Sequence, residues 1–502
     1  MDISKGNDGT RQSSTEHIED TPQSSTDFQI PTVTWWKHSG LRRLYVMMPI
    51  LFLGSTINGY DGSLLNGLQT MPPWRDYFGD PTGSDLGLLT AIHNIGGICA
   101  LLFSSYIADL LGRRAGVAAG IIVIFVGVVV QSNVSQGSAP LLVTELAHPQ
   151  HRGTLTTMYN TLWYIGSIIA AWTVFGTIEY TSNASWRIPV GLQAAMPAIQ
   201  FVGVWLLPES PRWLCAKGKT DDAFNILVKY HGNGDQNDKF CEWQYREIQN
   251  TISIEKETTG NSWALLVRTP GNRKRLLLIA LVSFFSQCSG NGLVSYYIHS
   301  ILQSVGITSS SDQAIINGGL QIWSFLVAIG FSAFLVDVLG RRKLFMIAAV
   351  GMLITFSVWT GCSAVYAQNE NSRAGSAVIA MIFLYYGVAG FAWPGLTVAY
   401  CAEILPFNIR AKGLALNLAL TALSSVFNQY VNPIGLEDLQ WRFYFVYIAI
   451  LVVECLCIYF LFVETKGPTL EEIAALFDGD KVAVLDPESA KARSAIVEKE
   501  SQ

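Results

Sequence analysis

The sequence predicts an all-α protein that crosses a lipid bilayer many times, built from two homologous halves of six helices each. Three observations predict this fold class. Half of the 502 residues are hydrophobic and only 14% are charged, against about 25% in a typical soluble domain. Apolar stretches close to the roughly 20 residues that a membrane-spanning helix needs recur along the chain. Motifs of the first half return in the second half at matched spacing.

The chain opens with a polar segment, and residues 1–43 are predicted to form a disordered tail. Residues 1–34 are rich in Ser, Thr and Asp and lack the apolar core that a cleavable signal peptide requires. We therefore expect this tail to remain in the cytosol.

The membrane region is predicted to comprise one bundle over 44–207 and a second over 275–463. Eleven segments are long and apolar enough to span a bilayer, and a twelfth, 136–146, is only a fragment. The eleven segments are 44–65, 86–107, 115–131, 154–176, 187–207, 275–298, 313–336, 343–366, 377–401, 411–432 and 441–462.

A basic-rich linker over 208–274 joins the two bundles. It is expected to form short helices that dock beneath the bundles as a lid, or else to remain a solvated connection. The loops on the opposite side of the predicted membrane contain only Arg75 and Arg373 as basic residues. Because Lys and Arg concentrate on the cytoplasmic side, both termini, including the tail 464–502, are predicted to be cytosolic. The expected location is the plasma membrane.

The internal repeat is carried by charged motifs. The pattern Asp-x-Leu-Gly-Arg-Arg occupies 109–114 and again 337–342. A Glu followed seven residues later by an Arg occurs at 145–152 and at 403–410. Such long-period self-similarity indicates duplicated structural units, so two homologous bundles are the economical interpretation.

These motifs, together with PESPRWL at 208–214 and ETKG at 464–467, resemble the signatures of the sugar porter family of the major facilitator superfamily. Two further strings, GYDGS at 59–63 and QCSGNG at 287–292, are similar to fungal lactose, cellodextrin and hexose permeases. The resemblance implies two rigid bundles that rock around a substrate held between them near the middle of the membrane.

The resemblance also implies a gate of charged residues at the cytosolic helix ends, which pair across the bundles when the inside is closed. The alternative is that these residues only anchor the topology as solvated charges. Their matched spacing in both halves favours the gate. The candidates are Asp109, Arg113, Arg114, Glu145, Arg152, Glu209, Arg212, Asp337, Arg341, Arg342, Glu403, Arg410 and Glu464.

A sugar site calls for amide side chains, which donate and accept hydrogen bonds, and for aromatic rings that cover apolar sugar faces. By resemblance, Asn160, Gln287, Asn317 and Asn428 match positions that hold sugar hydroxyls. The alternative is that these amides tie membrane helices to one another. Trp393 is a candidate stacking ring, with helix packing as its alternative role.

The chain departs from the family pattern in the first helix of the second half. Ser286 replaces the first Gln of that pattern, and Gly292 replaces a later Asn. Asn291 is expected to act from the neighbouring position, which points about 100° away on a helix. Hexose specificity is therefore not carried over, and a mono- or disaccharide is expected.

Asp61 is the candidate for proton coupling. It lies inside the first predicted span, where a carboxylate costs at least roughly 2.5 kcal/mol and is rarely kept without a role. Its Tyr-Asp context resembles proton-coupled members of the family. The alternative is that Asp61 lies near the external helix end, stays hydrated and has no part in coupling.

The fourth helix is predicted to be shortened. Glu145 lies 36 residues after Asp109, whereas Glu403 lies 66 residues after Asp337. As a helix, segment 132–146 would reach only about 22 Å, short of the roughly 30 Å hydrocarbon core. A segment that fails to cross would invert the side of everything after it, so a strained crossing or a misfolded chain is expected. By resemblance, the missing stretch would have carried an Arg partner for Asp61.

The predicted function is proton-coupled sugar uptake by a monomer, with sugar, proton and lipid bilayer as partners and with neither cofactor nor metal. An enzyme is disfavoured because the sequence contains no nucleophile-and-base set, phosphate-binding Gly loop or metal cluster. A nucleic-acid partner is not expected at a net charge of −5. The alternatives are a sugar sensor that does not transport, an inactive truncated isoform and a sugar uniporter. The short C-terminal tail favours a carrier over a sensor.

Overall fold

The computed structural model describes residues 31–126, 133–258, 263–332, 339–466 and 477. Within these ranges the chain forms two helical bundles joined by a helical linker. Of the predicted tails 1–43 and 464–502, residues 1–30, 467–476 and 478–502 lie outside the described residues, as does Asp337.

The first half contains eight described α-helices. Its described helices are α1 Ser39–Leu68, α2 Pro72–Phe78, α3 Gly83–Leu111, α4 Arg113–Val126, α5 Asn133–Leu146, α6 Arg152–Thr177, α7 Ala184–Leu192 and α8 Ala195–Gly203.

The linker contains four described helices, one of them 20 residues long, and the second half follows it. The linker helices are α9 Pro211–Ala216, α10 Thr220–Tyr230, α11 Lys239–Thr258 and α12 Leu265–Arg268. The described helices of the second half are α13 Pro270–Cys288, α14 Asn291–Ser304, α15 Ser310–Val327, α16 Arg341–Asn369, α17 Ser372–Ala389, α18 Trp393–Ile404, α19 Phe407–Leu439 and α20 Tyr444–Leu461.

Length and composition identify six membrane-crossing stretches in the described part of the chain. They are Ala184–Leu206, Pro270–Ser304, Ser310–Gly330, Arg341–Asn369, Ser372–Ile404 and Lys412–Leu461. The sequence predicted eleven spans. The helices α1, α3 and α6 are also long enough to cross, with 30, 29 and 26 residues. Their polar side chains, such as Asn58 and Asp61 on α1, face a central cavity.

Small residues bring α1 and α6 into close contact. A Cβ atom on Gly59 would lie 1.8 Å from the carbonyl oxygen of Trp163, and one on Gly166 would lie 1.8 Å from that of Thr56. Neither position has room for any side chain. The hydrophobic effect does not drive helices together inside a bilayer, and close backbone packing at small residues does so instead. We therefore infer that α1 and α6 are tightly held together in the first half.

The linker docks on one end of the first half, which we call the linker face; the opposite end is the far end. The Asn233 side chain accepts a hydrogen bond from the backbone nitrogen of Gly40, at the start of α1, at 3.2 Å. The imidazole of His231 lies 3.1 Å from the carbonyl oxygen of Leu146, at the end of α5. The start of α1 and the end of α5 therefore both lie at the linker face.

The helices α4 and α5 form a short antiparallel hairpin. Each has 14 residues, a rise of about 21 Å. Arg113 at the start of α4 pairs with Glu145 near the end of α5, with Nε and Oε2 3.4 Å apart, so both open ends lie at the linker face. The sequence predicted a span at 115–131 and, for the fragment after it, a strained crossing or a misfolded chain. In the structure α5 returns to the linker face beside α4, so the side of every later segment is preserved; residues 127–132, between the two helices, lie outside the described residues.

The second half is built around buried aromatic side chains. Phe356 and Trp359 of α16 pack with ring centroids 4.6 Å apart, and Tyr385, Tyr444 and Tyr447 from neighbouring helices surround them. A break at Ser289 and Gly290, where Gly290 has φ 109°, separates α13 from α14. The conformation of Gly290 is one that only glycine adopts readily.

Candidate functional site

A central cavity of about 840 Å³ lies between the two halves. Its walls come from α1, α2, α3, α6 and α7 of the first half and from α13 to α19 of the second half. Aromatic side chains form much of the lining, among them Trp163, Tyr296, Tyr386 and Trp393. The location between two homologous bundles is where alternating-access carriers bind substrate.

The structure brings four of the predicted ligand-site residues to this cavity. Asp61, Gln287, Asn291 and Trp393 all line it. Gln287 and Asn291 flank the break between α13 and α14, so they approach the cavity from two separate helix ends.

Asn317 and Asn428 lie behind the cavity wall. Asn317 is buried, and its Oδ1 accepts hydrogen bonds from Asn66 at 3.5 Å and Gln321 at 3.4 Å. The Nδ2 of Asn428 donates to the carbonyl oxygen of Gln287 at 2.9 Å, and its Oδ1 accepts from Asn432 at 2.6 Å. These amides hold helices together and position the residues in front of them.

Asn160 occupies a different place from the other predicted amides. It lies on α6 with an exposed side chain, and it is not among the described residues that line the central cavity. Its predicted contact with sugar remains a prediction.

Polar atoms without partners converge on the cavity. Among the described residues, six lining side chains have a buried nitrogen or oxygen atom that makes no hydrogen bond. These atoms are Oδ1 of Asp61, Nδ1 of His93, Nε2 of Gln193, Oδ1 of Asn291, Nε1 of Trp393 and Oγ1 of Thr421. An unmade hydrogen bond at a buried atom costs roughly 1–3 kcal/mol, so this set is suited to a ligand that both donates and accepts.

Asp61 lies in a neutral polar environment. Its side chain is buried and neighbours that of Gln193. The described lining residues include no Lys or Arg, whereas His93 is a second ionisable side chain on the same wall. Among the described lining residues, Asp61 therefore has no cationic partner to hold it in the charged form.

Hydrogen bonds join the two halves toward the far end. Gln69 Nε2 donates to the carbonyl oxygen of Tyr296 at 3.0 Å, and Thr82 Oγ1 donates to Glu437 Oε1 at 3.2 Å. Deeper in the bundle, Asn94 Nδ2 donates to Gln429 Oε1 at 2.8 Å. These contacts close the cavity on the side away from the linker.

The predicted gate residues of the first half form a cap on α4. The Glu209 carboxylate accepts hydrogen bonds from the backbone nitrogens of Arg113 at 3.1 Å and Arg114 at 3.2 Å. Burial raises the pKa of Glu209, and the backbone amides that donate to it oppose that shift. Arg114 Nη2 donates to the carbonyl oxygen of Trp205 at 2.6 Å.

The second half repeats this arrangement on α16. Glu464 accepts from the backbone nitrogens of Arg341 at 2.8 Å and Arg342 at 3.2 Å. Arg341 Nη2 pairs with Glu403 Oε1 at 3.0 Å, as Arg113 pairs with Glu145. The ion pairs described for these motifs thus lie within one half each, whereas the predicted gate would pair across the halves.

The remaining gate candidates lie near the same face. Arg152 begins α6, Arg212 lies in α9 of the linker, and Asp109 lies in the last turn of α3. Arg410 Nε donates to the carbonyl oxygen of Leu405 at 3.2 Å.

Of the six lining residues with an unpartnered buried atom, sequence reasoning missed three, His93, Gln193 and Thr421. His93 and Thr421 are not amides, and Gln193 has no second amide four positions away. The search for paired amides at helical spacing therefore passed over them. The available signal was weaker: a polar side chain within a membrane helix usually faces the bundle interior.

Comparisons with known proteins agree with this architecture. The sequence profile of the family described as "Sugar (and other) transporter" matches residues 47–135 and 131–477, and its two segments meet at the shortened α4–α5 hairpin. The MFS-type transporter criB of Aspergillus cristatus is 28% identical over 440 residues, which cover 84% of this chain and 90% of the relative. The hexose transporter HXT13 of Saccharomyces cerevisiae is 26% identical over 471 residues, covering 87% and 83%. Both relatives are transporters and neither is an enzyme, as the sequence predicted.

Solved structures share the fold. The inward open xylose transporter XylE from E. coli superposes with a TM-score of 0.70 at 19% identity, covering 86% of this chain and all of that chain. The proton:xylose symporter XylE bound to 6-bromo-6-deoxy-D-glucose gives 0.67 at 20% identity, covering 88% and 100%. With the profile match over most of its length, this chain belongs to the sugar porter family and has the polytopic helical fold of the major facilitator superfamily.

Proposed function

We propose that this chain carries a mono- or disaccharide across the membrane together with a proton, with Asp61 as the coupling carboxyl. The observation that carries the proposal is the set of unpartnered donors and acceptors in the central cavity. A sugar has no charge and many hydroxyls, each of which donates and accepts, so it can satisfy this set. The aromatic lining residues supply faces for its apolar C–H groups.

Asp61 supports the coupling part of the proposal through its position. It lines the cavity, is buried, and has one carboxylate oxygen without a partner among the described residues. A charge in this place is costly in a membrane, and no described lining cation offsets it. Proton binding removes that cost, so a proton and a sugar can stabilise the same closed state.

The contacts at the two ends support a direction of access. The halves are hydrogen-bonded toward the far end, while the pairs described at the linker face stay within each half. We propose that this is the state open to the linker side, and that the linker side is cytosolic. The relatives and solved structures named as hexose and xylose transporters support a sugar as the cargo.

The test is transport of labelled glucose, cellobiose and lactose into proteoliposomes, with and without an inward proton gradient. The wild-type chain is expected to accumulate a sugar above its external concentration only with the gradient, and to acidify the lumen. Asp61→Asn is expected to abolish accumulation but to keep sugar exchange between the two sides. Asp85→Asn, the same substitution at an exposed position in the first turn of α3, is the matched control and should behave as wild type.

Other outcomes would replace the proposal. Sugar movement that never acidifies the lumen would establish a uniporter. Saturable sugar binding without movement would establish a sensor or an inactive form. Accumulation that survives Asp61→Asn would move the coupling site elsewhere in the cavity, with His93 as the next residue to substitute.

A further inference from the structure

Glu454 is a buried carboxyl that the central cavity does not include. It lies in the interior of α20, and its side chain is 0% exposed. Its Oε2 contacts the hydroxyl of Ser289, and its Oε1 has no hydrogen-bond partner among the described residues. An ionisable side chain within a membrane helix is costly and marks function by default. In the sequence it is a single Glu within a long apolar run.

Hydrogen counting at Ser289 shows which form of Glu454 the geometry fits. The Ser289 Oγ lies 2.6 Å from the carbonyl oxygen of Phe285, and it also contacts Oε2 of Glu454. A hydroxyl has one hydrogen to donate, and a carbonyl oxygen has none. If Ser289 donates to Phe285, the hydrogen in the second contact must come from Glu454. The arrangement is therefore satisfied when Glu454 is protonated.

The surroundings of Glu454 contain no compensating charge in the described part of the chain. The titratable groups that interact with it are Tyr385 of α17 and, on its own helix, Cys455 and Cys457. In the last turn of α20, Arg342 Nη2 donates to the carbonyl oxygen of Tyr459. The charged residues of the elements packed against α20 lie at element ends. They are Arg273, Lys274 and Arg275 on α13, Arg341, Arg342 and Lys343 on α16, and Arg442 just before α20.

Ser289 connects Glu454 to the cavity. Ser289 and Tyr385 both line the cavity, and the Tyr385 hydroxyl donates to the backbone carbonyl of Ser289 at 2.7 Å. Ser289 lies at the break between α13 and α14, between the cavity residues Gln287 and Asn291. Glu454 is thus one side chain removed from the proposed sugar site.

We propose that Glu454 is a second proton-binding site, with Ser289 as the residue that relays protons between it and the cavity. On release, the proton on Oε2 passes to Ser289 Oγ while the hydroxyl hydrogen of Ser289 leaves to water in the cavity. The Ser289 hydroxyl then donates to the carboxylate and frees the carbonyl of Phe285. That exchange changes the last turn of α13, and with it the position of Gln287. The site goes beyond the proposed function, because it lies outside the cavity.

The first test is an infrared pH titration of the purified full-length protein in lipid nanodiscs, which follows the carbonyl stretch of protonated carboxyls. Glu454→Gln is expected to remove one pH-dependent band that Asp61→Asn leaves in place. Glu454→Asp keeps a carboxyl and should shift the frequency of the same band, so the assignment does not depend on one variant. A titration unchanged by both Glu454 variants would overturn the proposal.

The relay is tested by Ser289→Ala, which keeps the carboxyl and removes the hydroxyl. It is expected to move the midpoint of the Glu454 band by about one pH unit, a tenfold change in proton affinity. The matched control is Thr360→Val, because Thr360 is a buried hydroxyl that donates to the carbonyl four residues before it, at 2.8 Å, and is not among the described cavity-lining residues. An equal midpoint shift in Thr360→Val would contradict the role of Ser289 as a relay.

Sugar binding separates this inference from the proposed role of Asp61. In an Asp61→Asn background, glucose, cellobiose and lactose binding is measured between about pH 5 and pH 8, across the range where carboxyls and imidazoles titrate. Residual pH dependence that Glu454→Gln abolishes is expected. Binding that stays pH-dependent in both Asp61→Asn and the Asp61→Asn, Glu454→Gln double variant would overturn the link between Glu454 and Gln287. This outcome is independent of whether Asp61 couples transport.

Discussion

Single amides in this protein serve two different purposes, and burial of their polar atoms distinguishes them. The side chain of Gln287 lines the cavity. The side chain of Asn428 instead hydrogen-bonds to the carbonyl oxygen of Gln287 and to Asn432. Both were predicted as sugar ligands from the same kind of signal. The structure gives one of them access to a ligand and gives the other a supporting position.

Substitution of these two residues should separate binding from stability. Gln287→Ala is expected to raise the KM for sugar about tenfold, since one hydrogen bond contributes about 1.4 kcal/mol, with little change in thermal stability. Asn428→Ala is expected to lower the free energy of unfolding by about 1–3 kcal/mol, because it leaves buried partners unsatisfied. Transport kinetics of both variants give the KM for sugar, and thermal unfolding gives the change in stability. Equal effects of the two substitutions on KM would contradict the assignment.

At the scale of the element, the repeated motifs act as helix caps. Glu209 closes the start of α4 and Glu464 closes the start of α16, each by accepting from two backbone nitrogens. A carboxylate at this position satisfies orphan N–H groups and complements the positive end of the helix dipole.

Removal of one cap should destabilise the half that contains it. Glu464→Ala is expected to lower the free energy of unfolding by about 1–2 kcal/mol, the range for lost helix caps. Glu464→Gln keeps an acceptor and should cost less. Thermal unfolding in detergent measures both, and Glu247→Ala on an exposed surface of the linker should change nothing. A loss in Glu464→Gln equal to that in Glu464→Ala would show that charge, not capping, dominates.

The contact between the linker and the first half should depend on pH. His148 is fully buried beside His231 and Phe240. Burial lowers the pKa of His148 to about 3, with the nearby His231 and His151 adding to the shift, and burial also lowers the pKa of His231. Both imidazoles are therefore neutral when the linker is docked.

Because the folded pKa values lie below the unfolded value of about 6.5, docking is fully stable above that pH. Its stability is expected to fall as pH drops from about 6.5 toward the folded values. Hydrogen exchange of residues 227–241, corrected for the intrinsic effect of pH, measures this. His148→Gln should flatten the response, and identical protection at acid and neutral pH in the wild-type chain would contradict it.

The sequence could predict the two halves, since the repeated Arg-Arg motifs and apolar stretches encode them directly. It could not predict that Arg113 pairs with Glu145. That pair depends on where α4 begins and α5 ends along the membrane normal, which the spacing of the motifs does not give. Nor could it predict the partner of Glu454: Ser289 lies 165 residues away, and only the break before α14 brings the two together. The four cavity residues recovered from the sequence all lie in strings that carry the family resemblance or next to a helix break.

At the scale of the whole molecule, closure of the far end depends on bonds between the halves. Asn94 and Gln429 join α3 to α19 at 2.8 Å. Asn94→Cys combined with Gln429→Cys is expected to form a disulfide on oxidation and to lower uptake by at least about tenfold, because alternating access needs the halves to separate. Reduction should restore uptake. Each single variant, which retains the chain's own eight cysteines, is the control, and full uptake in the oxidised double variant would contradict this closure.

The short hairpin also bears on which bilayer suits the protein. The hairpin runs from Arg113 to Leu146, 34 residues, so each arm can rise at most about 25 Å as a helix, against a hydrocarbon core of roughly 30 Å. Each ångström of hydrophobic mismatch costs a fraction of a kcal/mol. Lipids with shorter acyl chains should therefore give the highest thermal stability and uptake, which vesicles of graded chain length can measure. Since compartments differ in bilayer thickness, the depth of one helix pair would favour the thinner membranes of the cell.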